Sequence, residues 1–505
     1  MDRILGSLSR RAMRLPLLLA CTFAAWFAAA SPVHAQSPAP STDETQKNFY
    51  KPDDVQSGYL KIADKDRKRM LAALPELILV PATFRWRDTT IENVAVRFKG
   101  NSSSHPMQKH KRSYLVKFDQ DDKDRRFLDM RLVSFDNGIQ FGSLFSEPII
   151  TEILCDHGIK THRCNYAKVY VNEEYQGVYA NVERIDESFI EHHLANAKGP
   201  LFKVDLGGPG ANLQFLDDKP ASYQRAFETK NAAAKKELPR LVEFIKWINQ
   251  SEPSDFAKDL GAKLELDDFL RVTAIMLFSG AFDQLTGWGP HNYYLFHDTK
   301  ADRWRYLPWD LDVGFSETAF GKINVLADWN AAWPVPTTGA PNPLLERIIA
   351  DPKLLQRYRE VARTILDKSF EPERLCAIID AKFKLIRKDL ETDPFPPRRA
   401  TVPTDRSYDD IVASQKEFVR KRYASALQQL KEPGTRPKHV GPQDGPPPGL
   451  ASKIQKIMEG ARQMQQKGKD VSSIAKLKQR VGPLLQDGKF AEAEKLVDEA
   501  LKLVE

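Results

Sequence analysis

The chain of 505 residues is long enough for two or three domains, or for one large domain with appendages. Its hydrophobic content of 42% and aromatic content of 10% are ordinary for a globular protein. The 75 basic and 68 acidic residues leave a net charge of only +7, and no block rich in Lys or Arg stands out. The composition therefore gives no reason to expect nucleic acid as a partner.

The first 35 residues have the organisation of a secretory signal peptide. Arg10, Arg11 and Arg14 precede an apolar core at residues 15–30, and the small-x-small stretch Val33-His34-Ala35 predicts cleavage before Gln36. The apolar core is short for a bilayer span. The sequence therefore predicts an exported protein, periplasmic or extracellular, with no membrane span after cleavage.

Three cysteines follow the predicted cleavage site, and an oxidising compartment permits a disulfide between two of them. Cys155 and Cys164 are the closest pair in sequence, which would leave Cys376 free. His157 and His162 lie between the first two cysteines, but their spacing is not that of a zinc finger or ribbon. The stretch favours a disulfide or buried thiols over a zinc site.

The first half of the mature chain reads mainly as strands. Residues 36–70 begin with polar sequence containing Pro and Ser, and we predict a flexible mature N-terminus there. The stretches IENVAVRFKG and RSYLVKFD alternate apolar and polar residues, and AKVYVNEEYQGVYANVERID is typical of a hairpin that turns near residues 172–174. Between them, SLFSEPIITEILCDHG predicts one helix that Gly158 stops.

The second half reads mainly as helices, beginning with LPRLVEFIKWINQ and LDDFLRVTAIMLFSG. Two short strands, NYYLFHD and RWRYLPWD, follow with a charged turn at residues 299–302, and helical sequence returns at about 343–392 and 406–431. A strand-rich half followed by a helix-rich half predicts a bilobal α+β protein.

The C-terminal sequence predicts a separate appendage. Residues 432–449, EPGTRPKHVGPQDGPPPG, are dominated by Pro and Gly and predict a linker. Residues 450–505 have apolar positions at helical spacing, and GKFAEAEKLVDEALKLVE is similar to the second half of a tetratricopeptide-type hairpin. Since one copy cannot form a solenoid, we interpret this part as a helical module that bundles or binds a partner.

The stretch VRFKGNSSSHPMQKHKRSYLVK has residue types suited to phosphate. Backbone amides and hydroxyls in the turn after Gly100 can cradle phosphate oxygens, and lysines on the returning strand can neutralise them. The glycine spacing is not that of a Walker motif. Taken alone, the stretch is more typical of a polar hairpin with a solvated basic face.

Asp283 and Asn292 lie where an apolar helix gives way to a loop and then to a strand. An acid followed closely by an asparagine suits one metal–phosphate site. Alternatively, each residue caps a turn or the end of a strand. The pair alone does not separate the two interpretations.

The stretch PWDLDVGF places Asp310 and Asp312 two residues apart in an apolar run. In an extended segment both would lie on one face, about 6.5–7 Å apart, and would repel unless a cation or proton intervenes. Magnesium, which prefers oxygen ligands, would relieve this repulsion, and so would ion pairs with Arg303 or Arg305. The stretch alone leaves both hypotheses open.

These stretches occur in an order that resembles the CotH kinase-like family, named after spore coat protein H and similar to atypical protein kinases. The resemblance runs from about residue 94 to 315 and continues into the helices up to about 430. It rests on VRFKGNSS, KRSYLVKF, YVNEEYQGVYANVERID, GPLFKVD, HNYYLF and RWRYLPWDLDVGF. It implies that residues 71–431 form one domain with a bilobal protein-kinase-like fold, followed by the linker and the helical appendage.

The resemblance also implies roles for individual residues. Asp283 would be the catalytic-loop aspartate that accepts the proton of the acceptor hydroxyl, and Asp310 would be the catalytic, metal-binding aspartate, with Asn292 also holding magnesium. Asp312 lies beside this metal site. The implied nucleotide-binding residues are the turn Gly100, Asn101, Ser102 and Ser103, either Lys111 or Lys117, an orienting glutamate that is Glu152 or Glu147, and a hinge from Tyr179 to Glu183.

The function implied by the resemblance is that of an exported kinase, which uses ATP and magnesium to phosphorylate Ser or Thr hydroxyls of a protein acceptor. Asp283 and Asn292 lie nine residues apart, however, whereas the equivalent pair of ordinary protein kinases lies about five apart. A full Gly-x-Gly-x-x-Gly loop and an Asp-Phe-Gly motif are also missing. Nucleotidyl transfer on the same fold and a non-catalytic role in envelope or coat assembly stay open as alternatives.

Overall fold

The computed structural model describes residues 46–437 and 450–504 apart from short gaps, all within the unit formed by residues 40–505. The gaps in the first range are residues 101–103, 105, 107, 140–142, 195–197, 206, 288, 320–322 and 337–341. Those in the second range are residues 451–452, 455, 458–459, 462–463, 465–469 and 487–489. The predicted signal peptide and most of the predicted linker therefore lie outside the described residues.

The barrel part, residues 46–182, contains seven strands. They are β1 (Val55–Ile62), β2 (Val80–Trp86), β3 (Thr89–Lys99), β4 (Ser113–Lys117), β5 (Leu132–Asp136), β6 (Cys164–Val171) and β7 (Glu174–Val182). In the described structure they close into a barrel in the order β1-β2-β3-β4-β5-β7-β6. Neighbours are antiparallel except β1 and β6, whose parallel pairing closes the barrel.

Alternate side chains of the strands fill the barrel, as the sequence pattern predicts. Val94, Val96 and Phe98 of β3 and Tyr114 and Val116 of β4 are at most 6% exposed. Two short helices, α1 (Gln46–Phe49) and α2 (Asp64–Ala73), complete this part. Aromatic rings contact one another edge to face in its core: Phe49, Phe84, Trp86 and Phe127. Burying such rings is worth about 1.5–3 kcal/mol each, so this core stabilises the barrel.

The helix α3 (Ser146–Asp156) packs against β6 of the barrel and against helices of the following part. Ile149, Ile150 and Ile153 are at most 2% exposed, which accounts for the apolar pattern of this stretch. Gly158 follows the helix with φ 71°, a left-handed conformation that glycine adopts without strain. The predicted helix and its stop at Gly158 are confirmed, with the helix beginning at Ser146.

The helical part, residues 187–437, surrounds a small sheet. Its strands are β8 (Leu201–Val204), β9 (Glu228–Thr229), β10 (Tyr293–Asp298) and β11 (Arg303–Pro308), in the order β11-β10-β8-β9, with a separate pair β12 (Thr318–Ala319) and β13 (Ile323–Asn324). Its helices are α4 (Glu187–His193), α5 (Ala232–Gln250), α6 (Pro253–Lys263), α7 (Leu266–Ser279), α8 (Val325–Asp328), α9 (Pro343–Ala350), α10 (Pro352–Ser369), α11 (Pro372–Glu391) and α12 (Tyr408–Lys431).

Separate hydrophobic clusters fill the different parts of the molecule. One lies inside the barrel, and a larger one joins α3 to the helical part around the almost wholly buried α7. The C-terminal helices Ser472–Gln486 and Phe490–Leu501 pack with residues from 450 onward into a third cluster. The predicted α+β class, with strands first and helices after them, is confirmed. Among the described residues, no helix combines the length and apolar character that crossing a membrane requires.

The three described cysteines do not form the disulfide that the sequence permits, and of them only Cys164 and Cys376 are buried thiols. In the part of the chain that the structure describes, Cys155, Cys164 and Cys376 are free thiols. Cys155 is exposed on α3 whereas Cys164 is buried at the start of β6, so the two side chains do not pair. The intervening histidines also separate: His157 contacts Ser369, and His162 contacts a glutamate of α3.

Candidate active site

One cavity of about 690 Å³ is lined by residues of both the barrel part and the helical part. Its acidic residues are Asp136, Glu147, Asp205, Asp283, Asp310 and Asp312; its basic residues are Arg97, Lys99, Arg184 and Lys203; and His291, Asn292 and Trp309 also line it. The polar residues that the sequence places in separate stretches, before β10 and after β11, therefore meet at one site.

The segment that carries the paired aspartates is not a strand. β11 ends at Pro308, and Asp310 has φ 59°, a left-handed conformation that costs a non-glycine residue about 1–2 kcal/mol. The predicted extended geometry with one common face is therefore wrong at Asp310. Asp310 and Asp312 are nevertheless both half-buried and both line the cavity.

Hydrogen bonds fix the backbone of this segment on both sides of Asp310. The side-chain amide of Gln284 donates to the carbonyl of Trp309 (2.8 Å), and the backbone N–H of Leu311 donates to Glu147 Oε2 (3.1 Å). The N–H of Ser143 donates to the carbonyl of Asp312 (3.0 Å). Contacts from α3, from the loop before it and from the loop after α7 thus offset the strain at Asp310.

The two aspartates lie in a strongly acidic environment. Burial raises the pKa of Asp310 to about 7, Glu147 adds to this shift, and Lys99 opposes it. Burial, followed by repulsion from Asp310, raises the pKa of Asp312 well above its usual range. Both groups therefore favour a cation or a proton beside them, which is the condition that a metal ion satisfies.

The alternative of ion pairs with nearby arginines is wrong for this segment. Arg305 forms an ion pair with Asp268 of α7 (2.6 Å). Arg303 lies 3.6 Å from Glu265, the residue before α7. Within the described residues neither arginine pairs with Asp310 or Asp312. The repulsion between the two aspartates is therefore not relieved by the neighbouring strand.

The donor set fits magnesium. Carboxylate and amide oxygens of Asp310, Asp312 and Asn292 are the hard ligands that this ion prefers. Across the described ranges, no three His, Cys, Asp or Glu side chains converge closely enough to hold a metal ion alone. A magnesium ion here would therefore take its remaining ligands from phosphate oxygens and water, as it commonly does.

Asp283 and Asn292 are directly connected. The Asn292 side-chain amide donates to Asp283 Oδ2 and to the Asp283 carbonyl, both at 3.1 Å. His291, a residue that the sequence interpretation did not single out, lies 2.8 Å from Asp283 Oδ1 through Nε2. Burial lowers the pKa of His291, but the hydrogen bond to Asp283 outweighs this and raises it overall. Both oxygens of the Asp283 carboxylate are thereby oriented.

The two lysines predicted to bind nucleotide both lie outside the lining of the cavity. Lys111 is fully buried, and its Nζ donates to the carbonyl of Val178 (2.6 Å) and to Asp393 (2.9 Å). Lys117 lies 3.9 Å from Asp119. Lys99, at the end of β3, does line the cavity, where it pairs with Asp136 at the end of β5. The geometry therefore favours Lys99 over the two predicted residues.

The predicted glutamates are also separated. Glu147, in the first turn of α3, lines the cavity and accepts from His162 (2.9 Å). Glu152, five residues further along the helix, faces Lys382 instead (2.6 Å). Glu183 is buried outside the lining residues, where it accepts from Arg163 and His193. Of the predicted glutamates, Glu147 alone is in a position to act within the cavity.

The predicted phosphate-covering turn is described only at its first residue. Gly100 lines the cavity with φ 94°. Asn101, Ser102 and Ser103 lie outside the described residues, so their predicted role stays a prediction. The position of Gly100 beside Lys99 is consistent with a turn that approaches a ligand at the end of β3.

The basic residues of the cavity surround one aromatic ring. Arg184 lies over Trp309, with 4.5 Å from its guanidinium carbon to the ring centre, and Lys99 and Lys203 lie about 6 Å from the same ring. Burial lowers the pKa of Arg97, and the positive charge of the nearby Arg184 lowers it further. Such a cluster of cations favours an anionic ligand. The sequence signal for Arg97 and Lys99 is their alternation with Val96 and Phe98, which places them outside the barrel.

Comparison with known proteins identifies the family. A family model described as "CotH kinase protein" matches residues 96–426. Inner spore coat protein H of Bacillus subtilis (strain 168) is 22% identical over 320 residues, which are 63% of this chain and 82% of that protein. The family match covers well over half of the chain and includes every acidic and basic residue that lines the cavity. The chain therefore belongs to the CotH kinase protein family.

Proposed function

We propose that this protein is an atypical kinase, with a bilobal kinase-like fold, that transfers the γ-phosphate of ATP to Ser or Thr hydroxyls with magnesium. The observation that carries the proposal is the convergence of Asp283, Asn292, Asp310 and Asp312 with Lys99 in one cavity. Phosphoryl transfer requires positioning and charge neutralisation more than covalent chemistry, and these residue types supply both. Membership of the CotH kinase protein family supports the proposal.

The acceptor side of the proposed site is built around Asp283. Its two carboxylate oxygens are held by His291 and Asn292, so its remaining lone pairs have fixed directions. An acceptor hydroxyl bound to this carboxylate would be oriented toward the phosphate, and Asp283 would take its proton. The hydrogen bond to Asp283 outweighs burial and raises the pKa of His291, so a protonated imidazole beside this carboxylate is favoured.

The donor side of the proposed site combines acidic and basic residues. Asp310, Asp312 and Asn292 would hold magnesium, which when bound neutralises charge on the transferring phosphate. Lys99 and Arg184 line the same cavity and would bind phosphate oxygens directly. The position of this cavity between a barrel part and a helical part supports the bilobal, kinase-like description.

The proposal is tested by incubating the purified mature chain with magnesium, a generic protein acceptor and ATP labelled at either the γ or the α phosphate. Label transferred from the γ position alone is the expected result. Transfer of the α label would instead indicate nucleotidyl transfer on the same fold. Absence of both labels, together with no nucleotide-induced rise in melting temperature, would contradict both enzyme functions.

A second candidate function is non-catalytic assembly of a coat or envelope. The observation in its favour is the relative named inner spore coat protein H. That name, together with the predicted signal peptide, also supports our proposal that the protein acts outside the cytoplasm. Because ATP is scarce outside the cytoplasm, the kinase proposal includes one of two conditions. Either the acceptor is phosphorylated before or during export, or the enzyme uses another phosphate donor.

A further inference from the structure

A buried arginine holds the far end of the segment that carries the paired aspartates. Arg399 lies in the strap, which we define as residues 392–407 between α11 and α12, and it is 1% exposed. Its Nη2 donates to the carbonyls of Gly314 (2.7 Å) and Phe315 (2.8 Å). These two residues lie two and three positions after Asp312 in the sequence.

The charge of Arg399 is balanced within the strap and α12. Its Nη1 donates to Asp405 Oδ2 (2.9 Å) and to the hydroxyl of Ser414 (3.1 Å). A buried ion pair is a weak source of stability, because desolvation of the two charges offsets most of their attraction. We therefore expect Arg399 to act mainly on the geometry of the backbone that it orients, and less on the free energy of folding through its ion pair.

That backbone requires external support. Asp310 has φ 59° and Phe315 has φ 51°, so the short segment contains two non-glycine residues in the left-handed region. Such conformations persist only where the surrounding structure fixes them. The N–H of Phe315 donates to the carbonyl of Ser279 (2.7 Å), and the carbonyl of Phe315 accepts from Arg399. The end of the segment is thus held on both sides of Phe315.

The other end of the strap is fixed to the barrel part. Asp393 Oδ2 accepts from Lys111 (2.9 Å) and from the backbone N–H of Val178 (2.9 Å) on β7. Gly177 packs so closely on the Asp393 carboxylate that a side chain there would collide with it. The strap therefore links a strand of the barrel to the aspartate segment through seven consecutive residues, 393–399.

We propose that Arg399 is a positioning residue that keeps Asp310 and Asp312 in the geometry required for cation binding, an inference that rests on the proposed function. Arg399 acts through the carbonyls of Gly314 and Phe315 and does not touch a ligand itself. Groups that orient metal ligands in this indirect way typically change metal affinity by about 10–100-fold when they are removed.

The test measures Mn²⁺ binding by electron paramagnetic resonance in the presence of a non-hydrolysable ATP analogue. The variant Arg399→Met/Asp405→Asn removes the donors without leaving a buried unpaired carboxylate. We expect its affinity for Mn²⁺ to fall about tenfold or more. We expect binding of the analogue without metal, measured in a chelator, to be unchanged, and Arg399→Lys to recover part of the Mn²⁺ affinity.

Arg422 provides a matched control. It is also fully buried, and its guanidinium likewise donates to two carbonyls, those of Trp329 and Leu277, both at 2.7 Å. Arg422→Met should therefore lower the melting temperature as Arg399→Met/Asp405→Asn does, yet leave Mn²⁺ affinity unchanged. An equal loss of Mn²⁺ affinity in both variants would show that the effect is one of general stability and would overturn the proposal.

The outcomes separate this inference from the proposed function. If the wild-type protein binds the analogue and Mn²⁺ and the Arg399 double variant binds both equally well, the inference is overturned while the proposed function stands. If Arg399→Met/Asp405→Asn does not fold, Arg399→Lys decides the question. Its ammonium group cannot reproduce all the hydrogen bonds of the guanidinium, so an Mn²⁺ affinity equal to that of wild type would count against the proposal. If the wild-type protein binds no Mn²⁺ with the analogue, both proposals fail.

Discussion

Charge pairing decides which lysine of the barrel can serve an anionic ligand. The ammonium group of Lys111 is enclosed between Asp393 and a backbone carbonyl, so its charge is already paired in the interior. Lys99 pairs with Asp136 at the wall of the cavity, where both groups can reorganise around a phosphate. The position of a lysine relative to the barrel wall therefore matters more than its place beside a basic motif.

We expect Lys99→Met to weaken binding of a magnesium–ATP analogue about 10–100-fold, because a charge-assisted hydrogen bond is worth about 1.5–3 kcal/mol. Lys117→Met serves as the matched control and should bind as the wild type does. Isothermal titration measures both affinities. A similar loss in the two variants would count against the assignment of Lys99.

Lys111→Met should have a different effect. Removing one partner of a buried ion pair leaves Asp393 uncompensated and typically costs about 3–5 kcal/mol of folding stability. Urea unfolding should show this loss, whereas the fraction that stays folded should bind the analogue normally. Weakened binding with unchanged unfolding would indicate a ligand role for Lys111 instead.

Asp310→Ala should abolish magnesium-dependent nucleotide binding and leave the fold intact, since it removes a cation ligand from a cluster of like charges. Loss of the magnesium-induced rise in melting temperature measures the effect. Glu152→Ala, which removes a carboxylate of α3 outside the cavity, is the control and should keep that rise. Unchanged binding by Asp310→Ala would refute the metal assignment.

At this scale, sequence reasoning finds some residues of the site and misses others for a physical reason. Asp283, Asn292 and Asp310 are polar residues at the ends of strongly apolar elements, where a charge is conspicuous. Arg97 and Lys99 occupy the outward positions of an amphipathic strand, which look the same whether they face solvent or a second part of the molecule. Only the tertiary structure separates these two cases.

At the scale of elements, Glu183 joins three of them. It follows β7, accepts from Arg163 just before β6, and accepts from His193 at the end of α4. Burial raises its pKa, but the hydrogen bonds from His193 and Arg163 outweigh burial and lower the pKa to about 2. A carboxylate with a depressed pKa stabilises the folded state at neutral pH.

The sign of the effect predicts a pH dependence. The contribution of Glu183 is complete above its unfolded pKa of about 4.3 and is lost as the pH falls toward its folded value, so Glu183→Gln should be about 3 kcal/mol less stable than wild type at pH 7. The difference should shrink as the pH falls from about 4 to 2. Urea unfolding over this range measures it, and Glu174→Gln, at an exposed site on β7, should show no such dependence.

The elements themselves are more predictable than their closure. The hairpin of β6 and β7, helix α3 and the pair β10–β11 follow from local periodicity and turn residues. The barrel does not, because it closes through the parallel pairing of β1 with β6, which joins Tyr59 to Tyr170 across more than a hundred residues. Local patterns carry no information about a pairing of that separation.

At the scale of the whole molecule, the C-terminal helices have their own hydrophobic cluster. Deleting residues 438–505 keeps the bidentate contact of Arg436 with Glu346 in the helical part. We therefore expect the shortened protein to bind a magnesium–ATP analogue with unchanged affinity and to keep its main thermal transition. Lost binding would show that these helices belong to the catalytic unit and not to a separate module.

Trp309 gives the molecule a built-in optical reporter. Its indole forms part of the cavity wall and lies under Arg184, so its emission depends on the charges around the ring. An anion that draws the guanidinium away would change the local polarity and therefore the emission wavelength. Because the chain has eight tryptophans, the difference spectrum between wild type and Trp309→Phe isolates this signal. Occupancy of the cavity can thus be followed in real time without label, acceptor or turnover.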